Sequence, residues 1–154
     1  MWKQQQVALA FLDSFRNLDY EANISLRTPD CQHYFAPASL GIERKNNEQF
    51  RSHVKSLQNV IEGIHVTTKD IYEGNHQITV WATGKTKFKE TAKASDPGLD
   101  WTYEGEYVFI FTFDRAGERI QQILEFLDSK KVEEVRRLIR VAEGALAGRV
   151  TSPS

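Results

Sequence analysis

Three ionisable side chains stand where predicted strands or helices end, and such positions suit acid–base chemistry. His33 lies on a short predicted strand, Glu62 directly precedes the break at Gly63, and Asp128 comes at the end of the last predicted strand. Carboxyl and imidazole groups exchange protons efficiently once partial burial has moved their pKa values toward neutrality. These three residues are therefore the candidate general acids and bases.

Each candidate also has an ordinary structural explanation. Asp128 could interact with the dipole of the following helix, Glu62 could be a solvated helix end, and His33 could be a hydrogen-bonded core residue. Cys31 shares a strand face with His33 and could start a metal site, but a buried thiol beside a histidine is the more common arrangement. We therefore expect no metal ion. The sequence also has no Gly-rich phosphate loop, nucleophile elbow or paired-cysteine motif.

The strongest signal is the aromatic segment WTYEGEYVFIFTFD at residues 101–114. Because side chains alternate along a strand, Tyr103, Tyr107 and Phe109 share one face and Val108 lies on the other. A wall of this kind suits a pocket for an apolar ligand. The predicted substrate-binding residues lie on this strand, on other strands or on the first helix: Phe11, Phe15, Cys31, Phe35, Trp101, Tyr103, Tyr107, Phe109, Phe111, Gln122, Leu124 and Phe126.

The hydrophobic period predicts the elements that position these groups. Helical spacing covers residues 4–18, 20–26, 46–62 and 130–146, with capping signals at Asn46 and Ser129. Period-two patterns predict strands at residues 30–36, 64–73, 77–90, 101–113 and 119–128. Residues 91–100 have loop composition and could form a lid, and residues 148–154 are predicted to be a disordered tail.

This order of elements predicts an α+β fold in a single domain, residues 1–147, with helices on one face of a curved, mostly antiparallel sheet. The opposite face would carry Trp81, Val108, Ile110 and Ile123. An apolar outer face predicts a homodimer that forms sheet to sheet. The alternative is a solvated face with a few apolar residues.

Composition excludes several classes of partner. The 154 residues carry a formal net charge of −1, which gives no electrostatic footprint for nucleic acid or an anionic membrane. No apolar run is long enough for a membrane span, and the N-terminal residues do not resemble a signal peptide. A lone cysteine, Cys31, fits a reducing compartment, so we expect a cytoplasmic protein.

Several segments carry a family resemblance. DCQHYFAPASL, NNEQF, VWATGKTKF, EYVFIFTFD and ILEFLDS resemble the fungal SnoaL-like branch of the NTF2-like superfamily, over residues 4 to 130. Within that branch, the chain is most similar to the small isomerases of fungal meroterpenoid biosynthesis. The resemblance implies a cone-shaped α+β barrel, a homodimer, no cofactor, and a pocket between the helices and the concave face of the sheet.

The resemblance also implies a reaction class. We expect a cofactor-independent isomerase or cyclase that rearranges a polycyclic terpenoid–polyketide intermediate. Glu62 or His33 would remove a proton next to a carbonyl, and the other of these two, or Asp128, would return one. The tyrosine and acid of ketosteroid isomerase are replaced by Phe11 and Phe109, which argues against that particular reaction. The alternatives are a scytalone-type dehydratase and a non-catalytic ligand-binding or dimerisation module.

Overall fold

The computed structural model describes residues 2–151. Helices and a five-stranded sheet make up this region, and the elements are, in chain order, α1 (Trp2–Asp13), α2 (Tyr20–Ser25), β1 (Arg27–Ala36), α3 (Asn47–Leu57), β2 (Ile61–Gly74), β3 (Gln77–Phe88), α4 (Glu90–Lys93), β4 (Tyr103–Phe113), β5 (Ile120–Leu127) and α5 (Ser129–Thr151). Short 3-10 turns follow α1 at Ser14–Asn17 and β1 at Ala38–Leu40. None of the helices in this region combines the length and the apolar character that crossing a membrane requires.

The strands lie side by side in the order β1-β5-β4-β3-β2. Only β1 and β5 run parallel, and the other three pairs are antiparallel. Within residues 2–151 the sheet is open, with β1 and β2 at its two edges, so the predicted barrel is not closed. The predicted hairpin after Asp114 is confirmed, since Asp114 Oδ1 accepts the Glu118 N–H at 2.9 Å and Gly117 takes a positive φ of 70°.

The inner face of the sheet is covered by α1. Phe11, which has no exposed surface, packs edge-on against Phe111 of β4 with 4.9 Å between the ring centroids. Burying an aromatic side chain of this size stabilises a fold by about 1.5–3 kcal/mol. The same core holds Ala8 and Leu12 of α1 and Ile78 of β3. The apolar period of the first helix therefore faces the sheet, as predicted.

The helix α3 begins as predicted but ends earlier. Its capping box is formed, because Asn46 Oδ1 accepts the Gln49 N–H at 2.8 Å and Gln49 Oε1 accepts the Asn46 N–H at 2.9 Å. The helix ends at Leu57, and Glu62 lies on strand β2. The prediction that Glu62 ends this helix is therefore wrong.

A bulge reverses the predicted faces of β5. The register of β4 with β5 shifts between Thr112 and Phe113, so one extra residue of β5 enters the ladder near Gln121. After it, Ile123 pairs with Phe111 on the buried inner face. Because side chains alternate along a strand, one extra residue moves each later side chain of β5 to the opposite face of the sheet. The predicted outer position of Ile123 is wrong, as are the predicted inner positions of three residues that lie outside: Gln122, Leu124 and Phe126.

The last helix is capped by Asp128 and not by Ser129. The Asp128 Oδ1 accepts the Lys130 N–H at 3.1 Å, and Ser129 is the first helical residue. The helix α5 continues to Thr151, past Gly148, where the predicted tail begins; residues 152–154 of that tail lie outside the described residues. The connection at residues 91–100 contains the short helix α4.

The glycine at position 63 permits a close approach between two backbones. A Cβ atom on Gly63 would overlap the carbonyl oxygen of Arg16, in the 3-10 turn after α1. Only a residue without a side chain lets β2 pass this turn. The 3-10 turn after α1 thereby packs directly against β2, the strand that forms one side of the cavity described below.

We expect Gly63→Ala to destabilise the fold strongly. Its methyl group meets backbone, which cannot rotate away, so the free energy of unfolding should fall by about 3 kcal/mol or more. Urea denaturation measures the change. Gly74→Ala is the matched control on the same strand, since its Cβ would meet only ordinary contacts at 3.7 Å or more. Equal stability of the two variants would contradict the close-approach explanation.

Candidate active site

A cavity of about 310 Å³ lies between the concave face of the sheet and the helices α3 and α5. Most of its wall is apolar, and its charged or histidine side chains are Lys45, His53, Glu125 and Arg136. The full lining consists of Phe15, Phe35, Ile42, Lys45, His53, Leu57, Ile61, Ile64, Val66, Thr86, Tyr103, Tyr107, Phe109, Glu125, Leu127, Val132, Val135, Arg136 and Ile139. An apolar wall with a few polar groups is typical of a small-molecule site.

Glu125 is the carboxylate of this cavity, and His33 holds it. The Nε2 atom of His33 lies 3.0 Å from Glu125 Oε1, and the two residues come from the parallel strands β1 and β5. The imidazole is 1% exposed and the carboxylate 12% exposed. A carboxylate in so little water keeps its orientation only if a donor fixes it.

The surroundings of His33 favour a neutral ring. Desolvation lowers the pKa of His33, while the hydrogen bond to Glu125 opposes this effect. Phe35 stacks on the imidazole, with 4.4 Å between centroids and 11° between planes. A neutral imidazole that faces a carboxylate presents Nε2–H, so His33 donates and Glu125 accepts.

A buried cation adds to this effect. Arg27 is 2% exposed, its guanidinium lies 4.0 Å from the centroid of the Phe50 ring, and its Nε–H donates to Asn23 Oδ1 at 2.8 Å. The charge of Arg27 contributes to the lowered pKa of His33 after desolvation. The buried Arg27 therefore disfavours a second proton on the imidazole.

Two tyrosine hydroxyl groups meet above Gly105. A Cβ atom on this glycine would lie 2.5 Å from the hydroxyl oxygen of Tyr107 and 2.9 Å from that of Tyr103. The two hydroxyls interact with each other; the interaction adds to the raised pKa of Tyr107 and partly offsets the rise in the pKa of Tyr103. Both tyrosines line the cavity, so either hydroxyl can donate its hydrogen to a ligand.

Burial keeps both tyrosines protonated. Desolvation is the main cause that raises the pKa of Tyr103 to about 12, and it raises the pKa of Tyr107 further. A second glycine, Gly84, pairs with Gly105 across β3 and β4, and a Cβ there would lie 3.1 Å from the Tyr107 ring. The two glycines thus leave the space in which the tyrosine pair lies.

The three predicted catalytic residues are not brought together. Glu62 is exposed on β2 and forms a salt bridge with Lys87 at 3.1 Å. Asp128 caps α5, and neither residue lines the cavity. His33 is buried behind the wall and acts on the cavity through Glu125. Among residues 2–151 no three side chains of His, Cys, Asp or Glu gather as metal ligands.

Part of the predicted substrate-binding set lines the cavity: Phe15, Phe35, Tyr103, Tyr107 and Phe109. Three others are core residues without a place in its wall: Phe11, Cys31 and Phe111. Trp101 lies in a neighbouring open groove, where its indole donates to the Asp96 carbonyl oxygen at 2.9 Å. The remaining three, Gln122, Leu124 and Phe126, lie on the outer face of β5.

Glu125, the carboxylate in the lining of the cavity, is not among the residues predicted from the sequence. Its inner neighbours are Ile123 and Leu127, both buried. An acid between two apolar residues on one strand face is a readable signal of a functional carboxylate. This pattern does not by itself show which face of β5 is buried, because the other face also carries apolar side chains, Leu124 and Phe126.

Known fungal proteins are similar to the chain in sequence. The chain is 25% identical over 126 residues to "Austinoid biosynthesis clusters protein F" of Emericella nidulans, covering 82% of this chain and 68% of that protein. The namesake from Penicillium brasilianum is 26% identical over 126 residues, covering 82% and 80%. No protein-family model matches the chain.

Solved structures of other proteins are similar to the chain in fold. The BvnE pinacolase of Penicillium brevicompactum superposes with a TM-score of 0.77 at 21% identity, covering 90% of this chain and 91% of that one. An NTF2-like protein of Burkholderia pseudomallei gives 0.68 at 15% identity, covering 90% and 98%. A protein of Shewanella putrefaciens named as a SnoaL-like polyketide cyclase gives 0.69 at 13% identity, covering 87% and 96%.

These likenesses define the class of protein. The chain has the NTF2-like fold of SnoaL-like proteins, as the family resemblance of its motifs implied. It is related in sequence to fungal proteins of the austinoid biosynthesis clusters, which confirms the resemblance carried by its motifs.

Acidification is expected to destabilise the fold through His33. Burial lowers the pKa of this imidazole below its ordinary value of 6.5, so the unfolded chain takes up a proton at a higher pH than the folded chain does. The free energy of unfolding should therefore fall as the pH drops below about 6.5, by up to ~1.4 kcal/mol per pH unit. Urea denaturation of the wild type and His33→Gln between about pH 5 and pH 7.5 measures this slope.

The free energy of unfolding should change less steeply with pH in His33→Gln than in the wild type, since glutamine does not titrate. His65→Gln, which replaces an exposed histidine of β2, is the control. A slope in His33→Gln as steep as that of the wild type would assign the pH dependence to other groups.

Proposed function

We propose that this protein is a cofactor-independent isomerase or cyclase that rearranges a polycyclic terpenoid–polyketide intermediate by acid–base catalysis. The observation that carries this proposal is one cavity that contains both a carboxylate, Glu125, and a hydrogen-bond donor, Tyr103, in an otherwise mostly apolar wall. Aromatic and aliphatic side chains such as Phe15 and Phe109 would contact the hydrocarbon body of the substrate.

Glu125 is the base in this proposal. His33 occupies Oε1, which leaves Oε2 to accept a proton from a carbon next to a carbonyl group or from a hydroxyl group. A positioned carboxylate contributes about 10²–10⁴-fold to such a proton transfer. The same carboxyl group can return the proton at another atom of the substrate, so that the reaction leaves the mass unchanged.

Tyr103 stabilises the charge that develops on the substrate. When a proton leaves the carbon beside a carbonyl, negative charge moves to the carbonyl oxygen. In this proposal the Tyr107 hydroxyl donates to Tyr103 and makes Tyr103 a better donor to this oxygen, because hydrogen bonds in a chain polarise one another. In a cavity of low polarity, one such donor is worth about 10²–10³-fold in rate.

The named relatives fit this chemistry. A pinacolase and a protein named as a polyketide cyclase share the fold, and the related fungal proteins are named for austinoid biosynthesis. In a mass-neutral shift of this kind (α-ketol type), a base takes a hydroxyl proton and that oxygen becomes a carbonyl as its carbon–carbon bond migrates to the neighbouring carbonyl carbon. The π bond of that second carbonyl opens, and its oxygen gains the proton. Glu125 and Tyr103 are the two groups that such a shift requires.

A dehydratase would use the same two groups differently. It would protonate a leaving hydroxyl and release water, so the mass of the product separates the two reactions. A ligand carrier would return its ligand unaltered. We favour the isomerase because a carboxylate fixed by a buried histidine is needed for catalysis but not for holding an apolar ligand.

We expect Glu125→Gln to slow proton exchange at the substrate by about 10²–10⁴-fold, because the amide cannot accept the proton. The probe is a tricyclic diterpenoid ketone in D₂O, and mass spectrometry measures deuterium incorporation next to the carbonyl. Tyr103→Phe should slow the exchange by about 10²-fold. Glu106→Gln, on the outer face beside Trp81, is the control. Exchange at the wild-type rate in a folded Glu125→Gln protein would end this proposal.

We also propose that two copies pair through the outer face of the sheet. Trp81, Val108 and Phe126 form a row across β3, β4 and β5, and Phe126 is 50% exposed. Contiguous apolar side chains on a sheet are typical of an interface.

A charge in this row should dissociate the dimer. We expect Phe126→Glu to sediment as a monomer at concentrations where the wild type is dimeric, because it would bring two carboxylates into an apolar interface. Leu9→Glu, which charges an exposed apolar residue of α1, should leave the dimer intact. Equal sedimentation of wild type and Phe126→Glu would exclude this interface.

A further inference from the structure

The charges that line the cavity do not balance. Lys45 and Arg136 are positive, Glu125 is negative, and desolvation, with the charge of Lys45 as a second cause, lowers the pKa of His53, so that its ring is neutral. The cavity wall therefore carries one more positive than negative charge. The imbalance is concentrated at Lys45, because Arg136 is held by Glu133 at 3.0 Å and by the carbonyl oxygen of Leu40 at 3.0 Å.

Lys45 is a partly desolvated cation without a carboxylate in contact. Its Nζ lies 4.7 Å from the centroid of the Phe35 ring, and its hydrogen bond goes to the Glu43 carbonyl oxygen at 3.3 Å. Burial is the main cause that lowers the pKa of Lys45. Among the salt bridges formed within residues 2–151, none involves Lys45.

The carboxylate of the cavity is already engaged elsewhere. Glu125 accepts from His33 through Oε1 and forms no salt bridge with Lys45 among the described residues, so it acts on Lys45 only at a distance. A desolvated ammonium group gains most from an anion that enters the cavity and forms a charge-assisted hydrogen bond. The unpaired charge of Lys45 is thus complementary to a group on the ligand.

The backbone fixes Lys45 relative to the base. The Lys45 N–H donates to the His33 carbonyl oxygen and the His33 N–H donates to the Lys45 carbonyl oxygen, both at 2.9 Å. The same residue, His33, orients Glu125 through its side chain. One residue therefore sets the distance between an anchoring cation and the proposed base.

We propose that the substrate of this cavity carries a carboxylate, which binds to Lys45 and thereby presents the reacting carbon to Glu125. This inference rests on the proposed function and adds the class of substrate, an acidic polycyclic metabolite. It also explains why a mostly apolar cavity contains a lysine. Since Glu125 would repel a second carboxylate, the acidic group of the substrate binds at Lys45 and its uncharged part lies beside Glu125.

The test compares a tricyclic diterpenoid carboxylic acid with its methyl ester, by isothermal titration calorimetry. The wild type should bind the acid at least about tenfold more tightly, since a hydrogen bond to a charged group is worth ~1.5–3 kcal/mol. Lys45→Met should remove this preference and leave the affinity for the ester unchanged, while Lys45→Arg should keep it. The control is Lys69→Met, which removes an ammonium group 5.2 Å from the centroid of the Trp81 ring on the outer face.

Three outcomes would overturn the inference: equal affinity for acid and ester in the wild type, an acid preference that survives in Lys45→Met, or no binding of either ligand. Glu125→Gln separates this inference from the proposed reaction, because it should retain the acid preference while losing proton exchange. If the preference is absent but exchange still depends on Glu125, only the carboxylate inference is wrong. If the preference depends on Lys45 but exchange does not depend on Glu125, only the proposed reaction is wrong.

Discussion

The hydrogen bond between His33 and Glu125 is the interaction on which the site depends. It joins an imidazole that is 1% exposed to a carboxylate that is 12% exposed, so neither group can turn to water instead. Leaving one of them unpaired would cost the full desolvation penalty of a buried polar or charged group. The pair is placed by the parallel pairing of β1 with β5, and the remaining architecture keeps water away from it.

The scaffold around this pair combines large rings with missing side chains. Phe35 and Phe50 flank the imidazole, while Gly84 and Gly105 make room for the tyrosine pair on the opposite part of the wall. The two large rings exclude water near the histidine. The two glycines leave space for the two tyrosine hydroxyl groups. Both effects depend on close packing, so that adding or removing one methyl group would change the packing of this region. Polar groups therefore occupy defined positions in a wall that is otherwise apolar.

Local signals predicted the elements well and the cavity only in part. The capping box at Asn46 and the alternation along β4 depend on residues that are neighbours in the chain, and both are formed as predicted. The faces of β5 could not be derived in this way, because one bulged residue near Gln121 exchanges them. Likewise, Glu62 continues the helical pattern but lies on β2, where its neighbours Ile61 and Gly63 pair with Phe88 and Lys87 of β3.

The sequence alone determined the fold class, the order of the elements and the aromatic wall, because periodicity, turns and caps are encoded within short segments. Only the tertiary structure decided the chemistry of the site. His33 and Glu125 are 92 positions apart, and their contact depends on strand pairing and register. A one-residue shift would have buried Phe126 and exposed Glu125. The position of the proposed base thus follows from how the strands are paired, which no short segment specifies.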